Sequence, residues 1–322
     1  MMLQIGDQFD RYQIRSHMAQ GGMADIYRAY DLMSGREVVL KVPNQMMIGD
    51  PALYERFQRE LEVTNNLQHP AVQRGLGSGQ YNRTPYLVTE FVEGQALRQI
   101  IEKEAPLTPE RAVDLTRKIA EGMAYCHEHD VIHRDLKPEN VLVSKDGQPV
   151  ILDFGLALTR SARRVTYANL TPTAGTPDYM SPEQIEGQRG DARSDIYAVG
   201  IMLYEMLCGC APYSGDTAMA VMAQHVQGNA PRADQTRPGI SLTLTAIIAR
   251  CMQRNPDDRY QTMRALMHDL DHLDSVDTSV LNKAPRSAAA PFWRSQAFIA
   301  VVISALVMIA IVLFALAVQG LR

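Results

Sequence analysis

Five side chains able to do chemistry crowd into one short stretch. Val131-Ile-His-Arg-Asp-Leu-Lys-Pro-Glu-Asn-Val-Leu-Val143 carries Arg134, Asp135, Lys137 and Asn140, and Ile151-Leu-Asp-Phe-Gly155 adds Asp153. Carboxylates and carboxamides are hard oxygen donors of the kind that suit Mg2+. A carboxylate can also take a proton from a hydroxyl, and lysine and arginine can meet an anion such as phosphate. Val131-Ile132, Val141 to Val143 and Val150 to Leu152 flank these groups as short apolar runs that read as buried strands. Polar groups set between buried strands must be satisfied there, so they form a constellation rather than a solvated face.

His133-Arg-Asp-Leu-Lys-Pro-Glu-Asn140, followed at this separation by Asp153-Phe-Gly155, resembles the catalytic and magnesium-binding segments of protein kinases. The resemblance implies that Asp135 is the base and that Lys137 reaches the transferring phosphoryl group. It makes Asn140 and Asp153 the metal ligands, for Mg2+ or alternatively Mn2+, with ATP as the phosphoryl donor. His133 is implied to be a packing residue.

These groups need a scaffold, and the chain ahead of them supplies one. Residues 9–45 read as a hairpin meander. Its turn, Ala19-Gln20-Gly21-Gly22-Met23-Ala24 with Ile26 after it, corresponds to the kinase glycine-rich loop over the ATP phosphates. Ala19 and Ala24 stand where the family has its first and third glycines, and alanine restricts positive φ. Lys41 ends Val38-Val-Leu-Lys41, like the Val-Ala-Ile-Lys of the family. A lysine inside an apolar strand is costly unless paired. Glu60 is the expected partner, with Glu62 as its rival. Pro85 to Gly94 reads as a buried strand running into a glycine turn and resembles the last N-lobe strand and hinge. There Glu90 and Val92 are implied to bind adenine through main-chain atoms, and the small Thr89 to leave the back of the pocket open. From Thr108, an N-cap followed by proline, the period shifts toward 3.6 and predicts a helix leading into the catalytic loop.

Arg134 beside the base calls for an anion. In related kinases that anion is a phosphate on the activation segment, here Leu156 to Met180. Thr171, Thr173 or both are expected to be autophosphorylated. Gly175 to Glu183 resembles the substrate-docking loop, with Glu183 expected to pair with Arg259 as a structural bridge. Asp195 is expected to anchor the catalytic loop. Lys137 together with Thr176 is the serine/threonine pattern.

The formal net charge of −4 over 322 residues argues against bulk electrostatic binding of nucleic acid. Cys126, Cys208, Cys210 and Cys251 form no CxxC pair, and His268 and His272, one turn apart, lack a third ligand. From about Asp274 the composition turns to Asp, Ser, Thr, Ala and Pro, as in a flexible linker. Ala297 to Val318 is apolar except for Ser304, about 33 Å as a helix, enough to span a bilayer. Lys283, Arg286 and Arg294 precede it, which places the preceding domain on the cytoplasmic side.

The expected architecture is an α+β bilobal protein-kinase fold over 10–273, with a β-rich N-lobe at 10–91 and a helical C-lobe at 92–273. A juxtamembrane linker at 274–296 and a transmembrane helix at 297–318 follow. With the tail span, the pattern resembles bacterial eukaryotic-like serine/threonine kinases. Their implied partners are protein substrates with Ser or Thr, a cognate phosphatase, a phosphothreonine-binding protein, a second copy in a homodimer and the lipid bilayer. Two rivals stay open: a membrane-anchored pseudokinase scaffold, and a small-molecule kinase of the same fold.

Overall fold

Period-two alternation builds the first part of the molecule. In the computed structural model, Gln8–Phe9 (β1), Tyr12–Gln20 (β2), Ala24–Asp31 (β3), Arg36–Pro43 (β4), Gly75–Tyr81 (β5) and Thr84–Glu90 (β6) form one sheet. Its order is β1-β2-β3-β4-β6-β5, with every neighbouring pair antiparallel. Val38, Leu40 and Val42 of β4 enter an apolar core with Tyr12, Ile14, Tyr27 and Tyr86. Val39 and Lys41 alternate onto the opposite face, which is how one charged residue enters a strand of buried aliphatics.

The structure describes residues 3–20, 24–44, 67–154, 158–159 and 177–282. They belong to one compact unit, Met1–Pro285, separate from a second unit at Arg286–Arg322. The loop residues Gly21, Gly22 and Met23, the glutamates Glu60 and Glu62, the threonines Thr171 and Thr173, and the apolar run 297–318 lie outside the described residues. Among the described residues no helix is long and apolar enough to cross a membrane.

After β6 the chain makes Gly94–Ala96 (β7) and then turns helical. Pro109–Glu128 begins as its sequence predicts: Thr108 accepts from the Arg111 amide and Pro109 occupies the first turn. Leu115, Ile119 and Met123 share its buried face. This helix packs on Ala192–Cys208 and on Met263–Asp271, whose inward side is Met263, Leu266 and Leu270. Ala192–Cys208 is buried over nearly its whole length. Asp191 caps it by accepting from Arg193 N–H, and Gly209 closes it at φ 77°, a left-handed turn that only glycine makes without strain. At Gly200 a side chain would bring its Cβ within 2.4 Å of Cys251 Cβ, so glycine permits close approach of Leu242–Cys251.

Between the sheet and these helices lie two small ribbons. Val141–Ser144 (β9) pairs with Pro149–Ile151 (β10) on one side and with β7 on the other. Val131–Ile132 (β8) pairs with Leu158–Thr159 (β11). The turns joining these strands carry the polar constellation.

Candidate active site

The loop after β8 is held by a buried carboxylate. Asp195, 1% exposed in the central helix, accepts from His133 N–H at 3.0 Å, from Arg134 N–H at 2.8 Å and from His127 Nε2 at 2.8 Å. Burial alone would raise its pKa. The hydrogen bond and charge of His127, with the loop amides, hold it below the usual carboxylate range. Its own helix is capped by Asp191, so Asp195 spends its acceptors on the loop across from it. Arg134 adopts φ 66°, sparsely populated for a non-glycine residue, and the two bonds to Asp195 over-determine that turn.

His133 is fully buried against Phe154, with ring centroids 5.0 Å apart. Its Nδ1 accepts from Asp135 N–H at 3.3 Å, which places the ring proton on Nε2, facing Leu152 O at 2.9 Å. The imidazole thus ties the catalytic loop to the residue preceding Asp153. Asn140 makes the parallel connection, its carbonyl accepting from Leu152 N–H at 2.8 Å.

Asp135 projects from this frame half-buried. Lys137 Nζ donates to its Oδ1 at 3.1 Å and its Oδ2 at 2.9 Å. Asn140 Nδ2 donates to Asp135 O at 2.7 Å and to Oδ2 at 3.3 Å. Those two bonds orient the Asn140 carboxamide with its nitrogen toward Asp135, turning its oxygen away and leaving it available as a donor atom. Asp153, at φ 57°, ion-pairs with Lys41 Nζ of β4. The Lys41 charge is the main reason the Asp153 carboxyl stays below its ordinary pKa, against the effect of burial. An ionised carboxylate and an outward carboxamide oxygen form a hard, few-ligand donor set of the kind Mg2+ takes alongside phosphate and water. Asn140 and Asp153 therefore fit a divalent metal.

The flanks of the glycine-rich turn reach the same place. Ile26 pairs with Ala19 on one side and with Lys41 on the other, so the strands entering and leaving the loop lie beside that lysine. Ala19 and Gln20 end β2, and Ala24 begins β3. Glu90 ends β6 and Val92 follows it. Val92 main-chain groups make no hydrogen bond among the described residues, and Thr89 is fully buried at 0% exposure.

Glu183 and Arg259 meet in a buried two-pronged pair: Nη1 to Oε1 at 2.8 Å and Nη2 to Oε2 at 2.7 Å. Ser194 Oγ also donates to Glu183 at 2.7 Å. The guanidinium further donates to the carbonyls of Gln253, Arg193 and Arg254, and lies 4.8 Å over the Tyr197 ring. Arg134 Nη2 donates to Gly190 O at 3.3 Å.

Sequence reasoning passed over several connectors. Gln184 donates to Arg134 O at 2.9 Å while accepting from Ser181, locking the segment after the docking loop to the catalytic loop. Arg98 donates to Glu139 at 2.8 Å and Glu205 at 2.7 Å and also bonds Tyr179, gathering four separate segments of the chain. Gln73 bridges β10 and the end of β6. Each makes its contact with a residue distant in the chain, so local spacing does not name the partner. A Ser-Pro-Glu-Gln capping box, Ser181 to Gln184, was the one legible local signal.

Comparison with known proteins gives a consistent result. The profile of the protein kinase domain family matches residues 12–270. Serine/threonine-protein kinase PknB of Mycolicibacterium smegmatis is 35% identical over 265 residues, covering 81% of this chain and 42% of that protein. A probable serine/threonine-protein kinase PknB of Lactococcus lactis is 36% identical over 278 residues, covering 86% of this chain and 44% of its own length. The chain thus spans less than half the length of these curated relatives. Among solved structures, the PknI kinase domain of Mycobacterium tuberculosis superposes with a TM-score of 0.67 at 23% identity, covering 85% of this chain and all of that one. That likeness is one of fold.

Proposed function

The chain belongs to the protein kinase family, and from that premise we propose that it transfers the γ-phosphoryl group of ATP to serine and threonine hydroxyls of proteins. The observation that carries this reading is the meeting of Asp135, Lys137, Asn140 and Asp153 in one hydrogen-bonded frame, with Lys41 of the sheet paired to Asp153.

The roles follow from what each group can do. Asp135 is an ionisable acceptor at the open side of the loop, placed to orient a substrate hydroxyl and take its proton late in transfer. Lys137, held on that carboxylate, is free to swing its charge to the phosphoryl group in transit. Lys41 is the cation for the other phosphates, and Glu60 is the residue proposed to share it. Ala19 to Ala24 and Ile26 are the residues proposed to meet the phosphates, and Glu90 and Val92 those proposed to hold adenine through their main chain. Asn140 and Asp153 would hold Mg2+, which supplies charge neutralisation across the phosphates when bound. Arg134, Asp195, Glu183 and Arg259 keep the frame in register.

Three finer statements complete the proposal. Thr171, Thr173 or both are autophosphorylated, and the added charge orders their segment against Arg134. Residues 297–318 anchor the kinase at the cytoplasmic face of a membrane, a reading supported by their apolar length and the basic residues before them. A cognate phosphatase and a phosphothreonine-binding partner act on the products.

The test uses the full chain with Mg-ATP and radiolabelled phosphate. Acceptors are the chain itself, a generic protein substrate, lipid and aminoglycoside, beside Asp135→Asn and Lys41→Met. Label on protein, falling by at least about 100-fold in either variant, is expected. Undiminished labelling in both variants overturns the assigned roles. Label on lipid or antibiotic alone selects the small-molecule reading, and none on any acceptor selects the scaffold. Phosphopeptide mapping that finds Thr171 and Thr173 unmodified in active protein removes the autophosphorylation sites.

A further inference from the structure

Gln73 is 5% exposed, following the buried pair Ala71-Val72. A carboxamide is costly to bury unless its groups find partners. Its backbone N–H donates to Ile151 O at 2.9 Å, and Ile151 N–H donates back to Ala71 O at 2.9 Å. Its side-chain Nε2 donates to Glu90 O at 3.1 Å. One residue therefore joins β10, two positions ahead of Asp153, to the carbonyl that opens the hinge. Glu90 is also held through its N–H and its side chain. Glu90 N–H donates to Arg74 O at 3.0 Å, and the Glu90 carboxylate accepts from Arg74 N–H at 2.8 Å.

A carbonyl oxygen has two lone pairs. Gln73 takes one, which fixes the direction of the other. Adenine presents ring nitrogens that accept and one exocyclic amine that donates, so the amine is its only partner for a carbonyl. We propose that Gln73 is a positioning residue for nucleotide recognition, orienting the Glu90 carbonyl toward the exocyclic amine of adenine. This rests on the assignment of Glu90 to adenine under the proposed function. It adds a second connection as well: the same residue couples the adenine end of the cleft to the strand that leads into the metal-binding aspartate.

The experiment measures equilibrium binding of Mg-ATP and of purine riboside triphosphate, which is ATP without the exocyclic amine, to the full chain. The proteins compared are wild type, Gln73→Met (similar length, no donor) and Gln73→Glu (acceptor only). Loss of one oriented hydrogen bond should weaken ATP binding by about 3- to 10-fold in Gln73→Met, and by more in Gln73→Glu. The analogue should bind within about twofold of its wild-type affinity in Gln73→Met, so the preference for ATP shrinks by the same factor. A ratio taken within one sample is independent of how much of that sample is folded. An unchanged ratio in both variants, or equal weakening of both nucleotides, overturns the proposal and leaves the kinase reading standing. A wild-type chain that binds neither nucleotide overturns both.

Discussion

Replacing Asp195 by asparagine should disable the catalytic loop without touching any group assigned to ATP or metal. Asp195 is 1% exposed and its two oxygens receive three hydrogen bonds, two from loop amides and one from His127. Asparagine offers one oxygen and one NH2. If the oxygen faces Arg134 N–H, the NH2 confronts His133 N–H. In the flipped orientation it confronts Arg134 N–H instead. His127 can adapt by changing tautomer, but one buried backbone donor is stranded in either case. A hydrogen bond to a charged acceptor is worth about 1.5–3 kcal/mol, and stranding the donor adds desolvation, so the loss is about 2–4 kcal/mol. For a domain of this size that is a fall of about 5–15 °C in Tm. The turn at Arg134, which needs both bonds to hold its positive φ, should relax and move Asp135. The expected kinetic signature is a drop in kcat of at least about tenfold with KM for ATP within about twofold, since Lys41 and the hinge sit on other elements. Calorimetry and steady-state phosphorylation of a protein substrate by the full chain measure both. A variant with wild-type Tm and kcat would refute the claim that Asp195 carries the loop.

Other perturbations have equally definite outcomes. Arg259→Met should cost about 3–5 kcal/mol in urea unfolding, because Glu183 keeps its buried charge with Ser194 as its remaining side-chain donor. Adding Glu183→Gln should recover part of that loss, and a double variant no more stable than the single would argue against a stranded charge. His225 is fully buried beneath Tyr213, bonded to Tyr197 at 2.8 Å, and burial lowers its pKa to about 4. Its folded pKa lies below the unfolded value near 6.5, so the stability it confers is complete above pH 6.5 and is lost as pH falls toward 4. Between pH 7 and 5 this amounts to about 2 kcal/mol. The pH dependence of urea unfolding should flatten by that amount in His225→Phe, and an unchanged slope would remove His225 from the acid response.

Much of this protein is legible in its sequence, and for a physical reason. Strand and helix periods depend on nearest neighbours, so the meander at residues 9–45 and the helix beginning after Thr108 follow from alternation and capping alone. The residues proposed for catalysis stand out in the sequence for a similar reason: Asp135, Lys137 and Asn140 fall within six positions, the short fixed spacing that the resemblance to kinases implies. The Asp195 anchor and the Glu183–Arg259 bridge were legible through the family resemblance, but other connections were not: Gln184 meets Arg134 across 50 positions, Arg98 meets Glu205 across 107, and Gln73 reaches the Glu90 carbonyl 17 positions on through its side chain. A lone buried polar residue has no local period, and the identity of its partner depends on which surfaces the fold brings together. Sequence by itself determined the elements and the chemistry they could host. Tertiary structure alone decided that Gln73 meets the Glu90 carbonyl, Gln184 the Arg134 carbonyl and Arg98 the Glu205 carboxylate, because satisfying such groups away from water is a property of packed elements and of no single segment.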